Sequence, residues 1–463
     1  MTEILKRNKA LSVNPLKASQ PTGGTLATLG FNRAMPMLHG SQGCTAFAKV
    51  FFVRHFREPI PLQSTAMDQA SSVLGADENV REGIRVIAEK SRPALITILT
   101  TGLAETQGAE VHRNVREFRE ANPEYADVAV VAVNTPDFTG SVETGYAATL
   151  TEIIRALVPD AKEAGTFPGQ RKRQVNVLVS YMLTPGDLEA LRDLFEQFQL
   201  RPVFVPDLSD SLDGCLTDDD FSPVTIGGTL ISEMVTLGDA LATVVIGSSL
   251  QKPAELLEQK TGVKTYSLDH LYGLKANDAL ICALSEISGN DVPERIERQR
   301  RQLQDAMLDT HFMLGQLRVA IAADADLLAA FVDLLQEMGA DVVAAVTSCN
   351  TPSLANIPVA SIKIGDLEDM EIIGKANKAQ LVIGNSHAVD TAERLGTPIL
   401  RAGFPLYDII GGYQKTWIGY RGTRQTLFDL ANLVINYSHE EIPVYHSIYG
   451  QKPANEQQAA SCH

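Results

Sequence analysis

Two stretches decide the fold: ALITILTT at residues 94–101 and DVAVVAVN at residues 127–134. Each is a short run of strand-forming residues that is apolar on both faces. Such a run suits a strand of a parallel sheet covered by helices on both sides. The pattern recurs at 175–179, 203–205, 242–246, 318–322, 342–346, 381–383 and 399–401, each time followed by a polar or glycine loop and a helical pattern. Thr184-Pro185-Gly186-Asp187 supplies a cap residue, a proline in the first helical position and an acid in the third. Leu188, Leu191, Leu194, Phe195 and Phe198 then form one apolar stripe. Leu327, Leu328, Phe331, Leu334, Leu335 and Met338 form another, stopped by Gly339. The alternation predicts an α/β chain of doubly wound, Rossmann-like domains, with parallel sheets flanked by helices and right-handed crossovers.

At about 150 residues per domain, 463 residues suggest roughly three domains. The polar stretch 160–173 and the charged helical stretch 291–311 place them at 1–165, 166–300 and 301–463, with the last helical pattern, 423–437, packing back across a neighbouring domain. Acidic residues outnumber basic ones 56 to 40, a net charge of −16, which disfavours a nucleic-acid or anionic-membrane binder. No apolar run reaches the length of a membrane span, and residues 1–15 lack the apolar core of a secretion signal. The five cysteines, Cys44, Cys215, Cys282, Cys349 and Cys462, form no CxxC pair and no disulfide framework. A reduced, cytoplasmic chain is expected.

The motifs that are missing narrow the chemistry. There is no GxxxxGK[ST] loop, no GxGxxG turn after a strand, no HExxH, no GxSxG and no EF-hand loop. Gly23-Gly24 reads as a turn signal only. Ligands in open parallel sheets lie beyond the carboxyl ends of the strands, which points to the loops at 100–102, 134–137, 347–350 and 384–387. The informative segment is HGSQGCTAF, residues 39–47: two glycines bracket a polar loop, Cys44 follows, and a helical pattern with Phe47, Val50, Phe51 and Phe52 begins. A thiol at a helix N-terminus meets the positive end of the helix dipole, a setting that favours the thiolate. On spacing alone Cys44 reads three ways: an inert cysteine in a turn, a metal ligand, or a nucleophile whose base is unidentified. Cys282, in ALICAL, is expected in the core; Cys215 is incidental; Cys349 ends a strand; Cys462 and His463 belong to a terminal tail. Arg54, His55 and Arg57 in RHFREP are either a solvated or interface-facing helix surface or positive charge beside an anionic centre.

The run VNPLKASQPTGGTLATLGFNRAMPMLHGSQGCTAF (13–47) with RHFREP (54–59) resembles the nitrogenase component 1 family, that of NifD, NifK, NifE and NifN, on its β-chain side. TTGLAE (100–105), NTPDFTGS (134–141) and GFPLYD (403–408) follow in the family's order, and the match is closest to the branch that assembles the iron–molybdenum cofactor. The resemblance implies that a catalytic β chain has three cysteines holding its share of an eight-iron cluster, at the places of Ser19, Cys44 and Gly102 here, and a serine at the place of Asp137. Only Cys44 is retained, and neither glycine nor a neutral serine hydroxyl is a ligand suited to a soft metal. One thiolate here and three from an α-like partner make the four of a [4Fe–4S] cubane.

The resemblance therefore implies a scaffold rather than a stand-alone catalyst. Cys44 ligates a cluster shared with the partner, and Ser19, His39, Ser41, Gly43 and Gly102 support or line the site. The implied partner is NifE, in an α2β2 heterotetramer that hosts the iron–sulfur precursor of the iron–molybdenum cofactor, mainly in the partner chain, while molybdenum and homocitrate are inserted. A precursor donor, apo-nitrogenase and, transiently, the Fe protein are the further partners. The rivals are a nitrogenase molybdenum–iron protein β chain relaying electrons, and a metal-free α/β enzyme.

Overall fold

The computed structural model describes residues 2–216 and 222–437, so the predicted tail residues Cys462 and His463 lie outside the described residues. Fourteen strands are described: β1 (Glu3–Leu5), β2 (Ala34–His39), β3 (Gln63–Ser64), β4 (Leu95–Thr100), β5 (Ala129–Val133), β6 (Gln174–Val179), β7 (Arg201–Val205), β8 (Ala242–Ile246), β9 (Thr265–Leu268), β10 (Arg318–Ala322), β11 (Asp341–Thr347), β12 (Ser361–Ile364), β13 (Leu381–Gly384) and β14 (Ile399–Arg401). They form three sheets, in the orders β3-β2-β4-β5, β7-β6-β8-β9 and β1-β12-β11-β10-β13-β14. Every pairing between these strands is parallel, as the doubly apolar runs predicted.

Alternation along β4 shows how the first sheet is covered on both faces. Leu95 and Leu99 enter a core that runs through all three sheets, together with Leu26, Tyr146, Val177, Phe331 and Leu430. Ile96 and Ile98 point the other way, into a separate cluster with Met35, Met37, Ile84 and Phe118. The third sheet has its own outer cluster around Ala320, Val346, Met370 and Val382. Thr184 and Asp187 make the expected reciprocal cap of the helix Pro185–Gln197. Asp187 also accepts the Trp417 N–H at 2.6 Å, tying that helix to the segment before the last helix.

Three features depart from the sequence expectations. First, β1 pairs with β12, Glu3 opposite Ser361, and Lys9 bridges to Asp366 at 2.6 Å. The first residues thus extend the third sheet rather than a unit spanning 1–165. A three-residue strand carries no local signal of which sheet it will join. Second, Gly23 and Gly24 lie inside the buried helix Gln20–Leu29 and mark no turn. A Cβ on Gly23 would come within 1.9 Å of the Val142 carbonyl oxygen, and one on Gly145 within 2.0 Å of the Gln20 carbonyl oxygen. The two glycines let this helix lie directly on the helix Val142–Leu157. Third, Cys282 is exposed, because the helix Gly273–Ser288 turns Leu280, Ile281, Ala283 and Leu284 inward instead.

The charged stretch 291–311 forms the helix Glu294–Leu314. The last described helix, Gly419–Tyr437, packs along it; Arg424 donates to Gln302 at 2.9 Å, and Tyr420 donates to Asp278 at 2.6 Å. Among the described residues no helix is long and apolar enough to cross a membrane.

Candidate functional site at the carboxyl ends of the first sheet

β2, β4 and β5 end side by side, with His39 opposite Thr100 and Leu99 opposite Val133. The loops that leave them are stitched together by threonines. The Thr101 N–H and Oγ1 both donate to the His39 carbonyl oxygen, at 3.1 and 2.9 Å. The Thr135 N–H donates to Thr100 Oγ1, and Thr135 Oγ1 donates to the Thr100 carbonyl oxygen, each at 2.8 Å. Gly40 rests on Thr101 so closely that a Cβ there would lie 2.3 Å from Thr101 Oγ1. The first glycine of the HGSQGC loop is therefore required by close approach.

His39 is buried beneath this loop, with Nδ1 2.9 Å from Thr65 Oγ1. Burial pushes its imidazole down to about 4, so it is neutral near pH 7 and supports the loop. Ser41, in extended conformation, caps the helix Gln42–Phe56 without a side-chain bond to its backbone. Its hydroxyl turns instead to Cys44 Sγ, 3.6 Å away. Cys44 is half-buried in the first turn of that helix. Gly43 is exposed, and a Cβ there would meet nothing nearer than Ser41 Oγ at 3.9 Å, so this chain's own packing does not require glycine at 43.

Ser19 and Gly102 come to the same edge without offering a soft metal ligand. Ser19 caps the helix Gln20–Leu29, and its hydroxyl pairs with Thr22 Oγ1 at 3.0 Å. Gly102 starts the helix Gly102–Gln107, and its N–H donates to the Asp137 carboxylate. Lys17 Nζ donates to the carbonyl oxygens of Asp137 and Thr139, at 2.8 and 3.2 Å, and Gln20 Nε2 donates to Thr139 Oγ1 at 3.0 Å. The residues around Ser19 thus hold the 134–140 loop, which in turn meets Gly102. Lys17, Thr65, Thr101 and the Asp137–Gly102 contact had no signal in spacing, because each partner lies more than twenty residues away in the chain.

The basic cluster divides. His55 is buried, its Nδ1 accepts the Leu406 N–H at 2.9 Å, and burial pushes it down to about 3. It is a neutral core group and brings no positive charge. Arg54 is exposed and its guanidinium lies 4.5 Å from the centre of the Tyr407 ring; Arg57 is also exposed. Cys349 sits among Asp324, Ser141 and Lys17, the lysine that also holds the Asp137 carbonyl oxygen. Burial, then the Asp324 charge, pushes its thiol up to about 12, so it is no thiolate near pH 7. Beyond Cys44 the helix Gln42–Phe56 turns Thr45, Ala48, Phe52, His55 and Phe56 to the core, while Phe47, 72% exposed, Val50 and Val53 face out. Phe138, 65% exposed, and Leu103 add to the apolar surface beside Gly102.

Among the described residues no group of three or more His, Cys, Asp or Glu side chains could hold a metal ion. The donor set suits a metal cluster in one respect only: Cys44 offers one accessible soft ligand at a helix start.

A family model described as nitrogenase component 1 type oxidoreductase matches residues 19–435. The chain belongs to this family. Nitrogenase iron-molybdenum cofactor biosynthesis protein NifN of Klebsiella pneumoniae is 45% identical over 453 residues, which is 98% of this chain and 97% of that protein. The protein of the same name from Rippkaea orientalis is 42% identical over 459 residues, 95% of this chain and 98% of its own. A solved nitrogenase chain, nitrogenase Cp1 at pH 6.5, superposes with a TM-score of 0.86 at 29% identity, covering 96% of this chain and 98% of its own. Membership in the nitrogenase component 1 family bears out the resemblance carried by the HGSQGC and RHFREP segments.

Proposed function

We propose that this chain is the β-like subunit of a scaffold on which the iron–molybdenum cofactor of nitrogenase is completed before transfer to apo-nitrogenase. The observation that carries the reading is its near full-length likeness, 45% identity over 98% of the chain, to a protein named for biosynthesis of that cofactor. The donor set supports it. Of the three positions where the family resemblance puts cysteines in a catalytic β chain, only Cys44 has a thiol, Ser19 is bonded to Thr22, and the Gly102 N–H is taken by Asp137.

In this reading Cys44 ligates one iron of a [4Fe–4S] cluster whose other three ligands come from an α-like partner, NifE, in an α2β2 heterotetramer. When bound, such a cluster supplies one-electron chemistry at the join between subunits. The chain's own residues set the ligand in place: Gly40 on Thr101 fixes the loop, neutral His39 supports it from below, and Ser41 turns its hydroxyl to the sulfur. Exposed Phe47, Val50, Val53, Leu103 and Phe138 form the apolar surface that the partner covers. The precursor is cargo, held mainly in the partner; ATP chemistry belongs to the Fe protein that docks transiently. The setting is the cytoplasm, where thiols are kept reduced.

The test is rescue in extracts. A strain lacking this chain should have no molybdenum-dependent nitrogenase activity, and adding isolated iron–molybdenum cofactor should restore it. No restoration, with activity regained only on adding the purified chain, would overturn the scaffold reading in favour of a catalytic β chain.

A further inference from the structure

We propose that Asp137 limits this chain to one thiolate at the shared site, by filling the space next to Gly102 where a second ligand side chain would begin. The inference rests on the scaffold reading above. Its evidence is the local geometry. Gly102 does not have a positive φ, so its own backbone would accept any residue. What crowds a side chain there is its neighbours: a Cβ at 102 would lie 3.0 Å from Asp137 Oδ1, 3.4 Å from Asp137 Cγ and 3.4 Å from Phe138 Cδ1, so the Asp137 carboxylate would have to yield by a few tenths of an ångström. That carboxylate accepts the Gly102 N–H, and Lys17 holds the loop from behind through the carbonyl oxygens of Asp137 and Thr139.

Charge acts in the same direction as volume. A cysteine at 102 would place its sulfur beside a carboxylate, and like charge at that range disfavours the thiolate, which is the form that binds iron. Glycine at 102 and aspartate at 137 are thus one device made of two residues. Replacing the glycine alone would not rebuild a ligand. Position 19 belongs to the same contact set, because on either side of Ser19 Lys17 holds the Asp137 and Thr139 carbonyl oxygens and Gln20 holds the Thr139 hydroxyl.

Two measurements on the complex purified with its partner test this. The first is a thermal-unfolding cycle with Gly102→Ala and Asp137→Ser. Gly102→Ala should lower the melting temperature when Asp137 is present, and that loss should shrink by half or more in the Asp137→Ser background. Equal losses in both backgrounds overturn the proposal. The second is iron content in the Ser19→Cys/Gly102→Cys chain. Iron should stay at about four per αβ pair with Asp137 in place and rise toward roughly eight when Asp137→Ser is added. The same iron count with and without Asp137, whatever its value, also overturns it. If the unaltered complex itself holds roughly eight irons at this site, the scaffold reading fails instead, and the unfolding cycle still decides whether Asp137 excludes a side chain at 102.

Discussion

At the scale of single residues, Cys44 carries the proposed ligation and its surroundings carry its placement. Replacing Cys44 with alanine removes one of four ligands and opens an iron to solvent. The purified complex should then lose interface iron, and the EPR signal of that cluster should vanish or shift. Cys282→Ala is the control. Because Cys282 is exposed, this change should leave iron unaltered and alter stability by no more than about 0.5 kcal/mol, read by chemical denaturation. His39 yields a prediction about pH. Its folded imidazole titrates near 4 and an unperturbed one near 6.5. Between those values the unfolded chain binds a proton that the folded chain does not, so this group's contribution to stability falls as pH drops through the window. His39→Gln keeps a polar partner for Thr65 and removes the titration. The midpoint of urea denaturation should therefore fall less steeply in the variant than in the parent between pH 6.5 and 4. Burial moves Asp187 the opposite way, up to about 6, but that group is present in both proteins and cancels in the comparison.

At the scale of elements, the helices of different units are joined through buried polar groups. Glu143, on the helix Val142–Leu157, accepts the Asp326 N–H at 2.8 Å, at the start of the helix Ala325–Glu337. Asp326 in turn accepts from Ser180 at 2.7 Å and from the Ser249 N–H at 3.0 Å, so all three sheets meet there. Burial, and then the neighbouring Asp326 charge, pushes the Glu143 carboxyl well above its ordinary range. Glu143→Ala should leave buried N–H donors unpaired and cost about 1–3 kcal/mol. Glu143→Gln, which keeps an acceptor oxygen and the volume, should cost less, and equilibrium unfolding of the two variants gives the order.

At the scale of the whole molecule, a chain with one soft ligand cannot close a cubane alone, since four are needed. Expressed without its partner, it should be iron-poor and melt at a lower temperature than in the complex, because metal binding and interface burial both add to the folding free energy. Iron analysis and calorimetry of the two preparations check this. A chain purified alone with about four irons and an unchanged melting temperature would contradict it.

The α/β class, most of the strands and the candidacy of Cys44 were legible in the order of residues alone. Those rest on local signals: doubly apolar runs, helix caps, and a cysteine just after a glycine-bracketed loop. Strand β2 escaped that reading because Pro36 interrupts AMPMLH; the proline is tolerated where β3, pairing only with Met37 and Leu38, does not reach it. Strands β9 and β12, four residues each, are too short to show a period. Tertiary structure alone decided that β1 joins the third sheet, that His55 is a neutral core group, that Cys282 faces outward, and that Asp137 stands against Gly102. Each of these depends on partners far away in the chain. Periodicity and spacing report only what neighbouring residues share, whereas burial, register and close approach are set when distant segments meet.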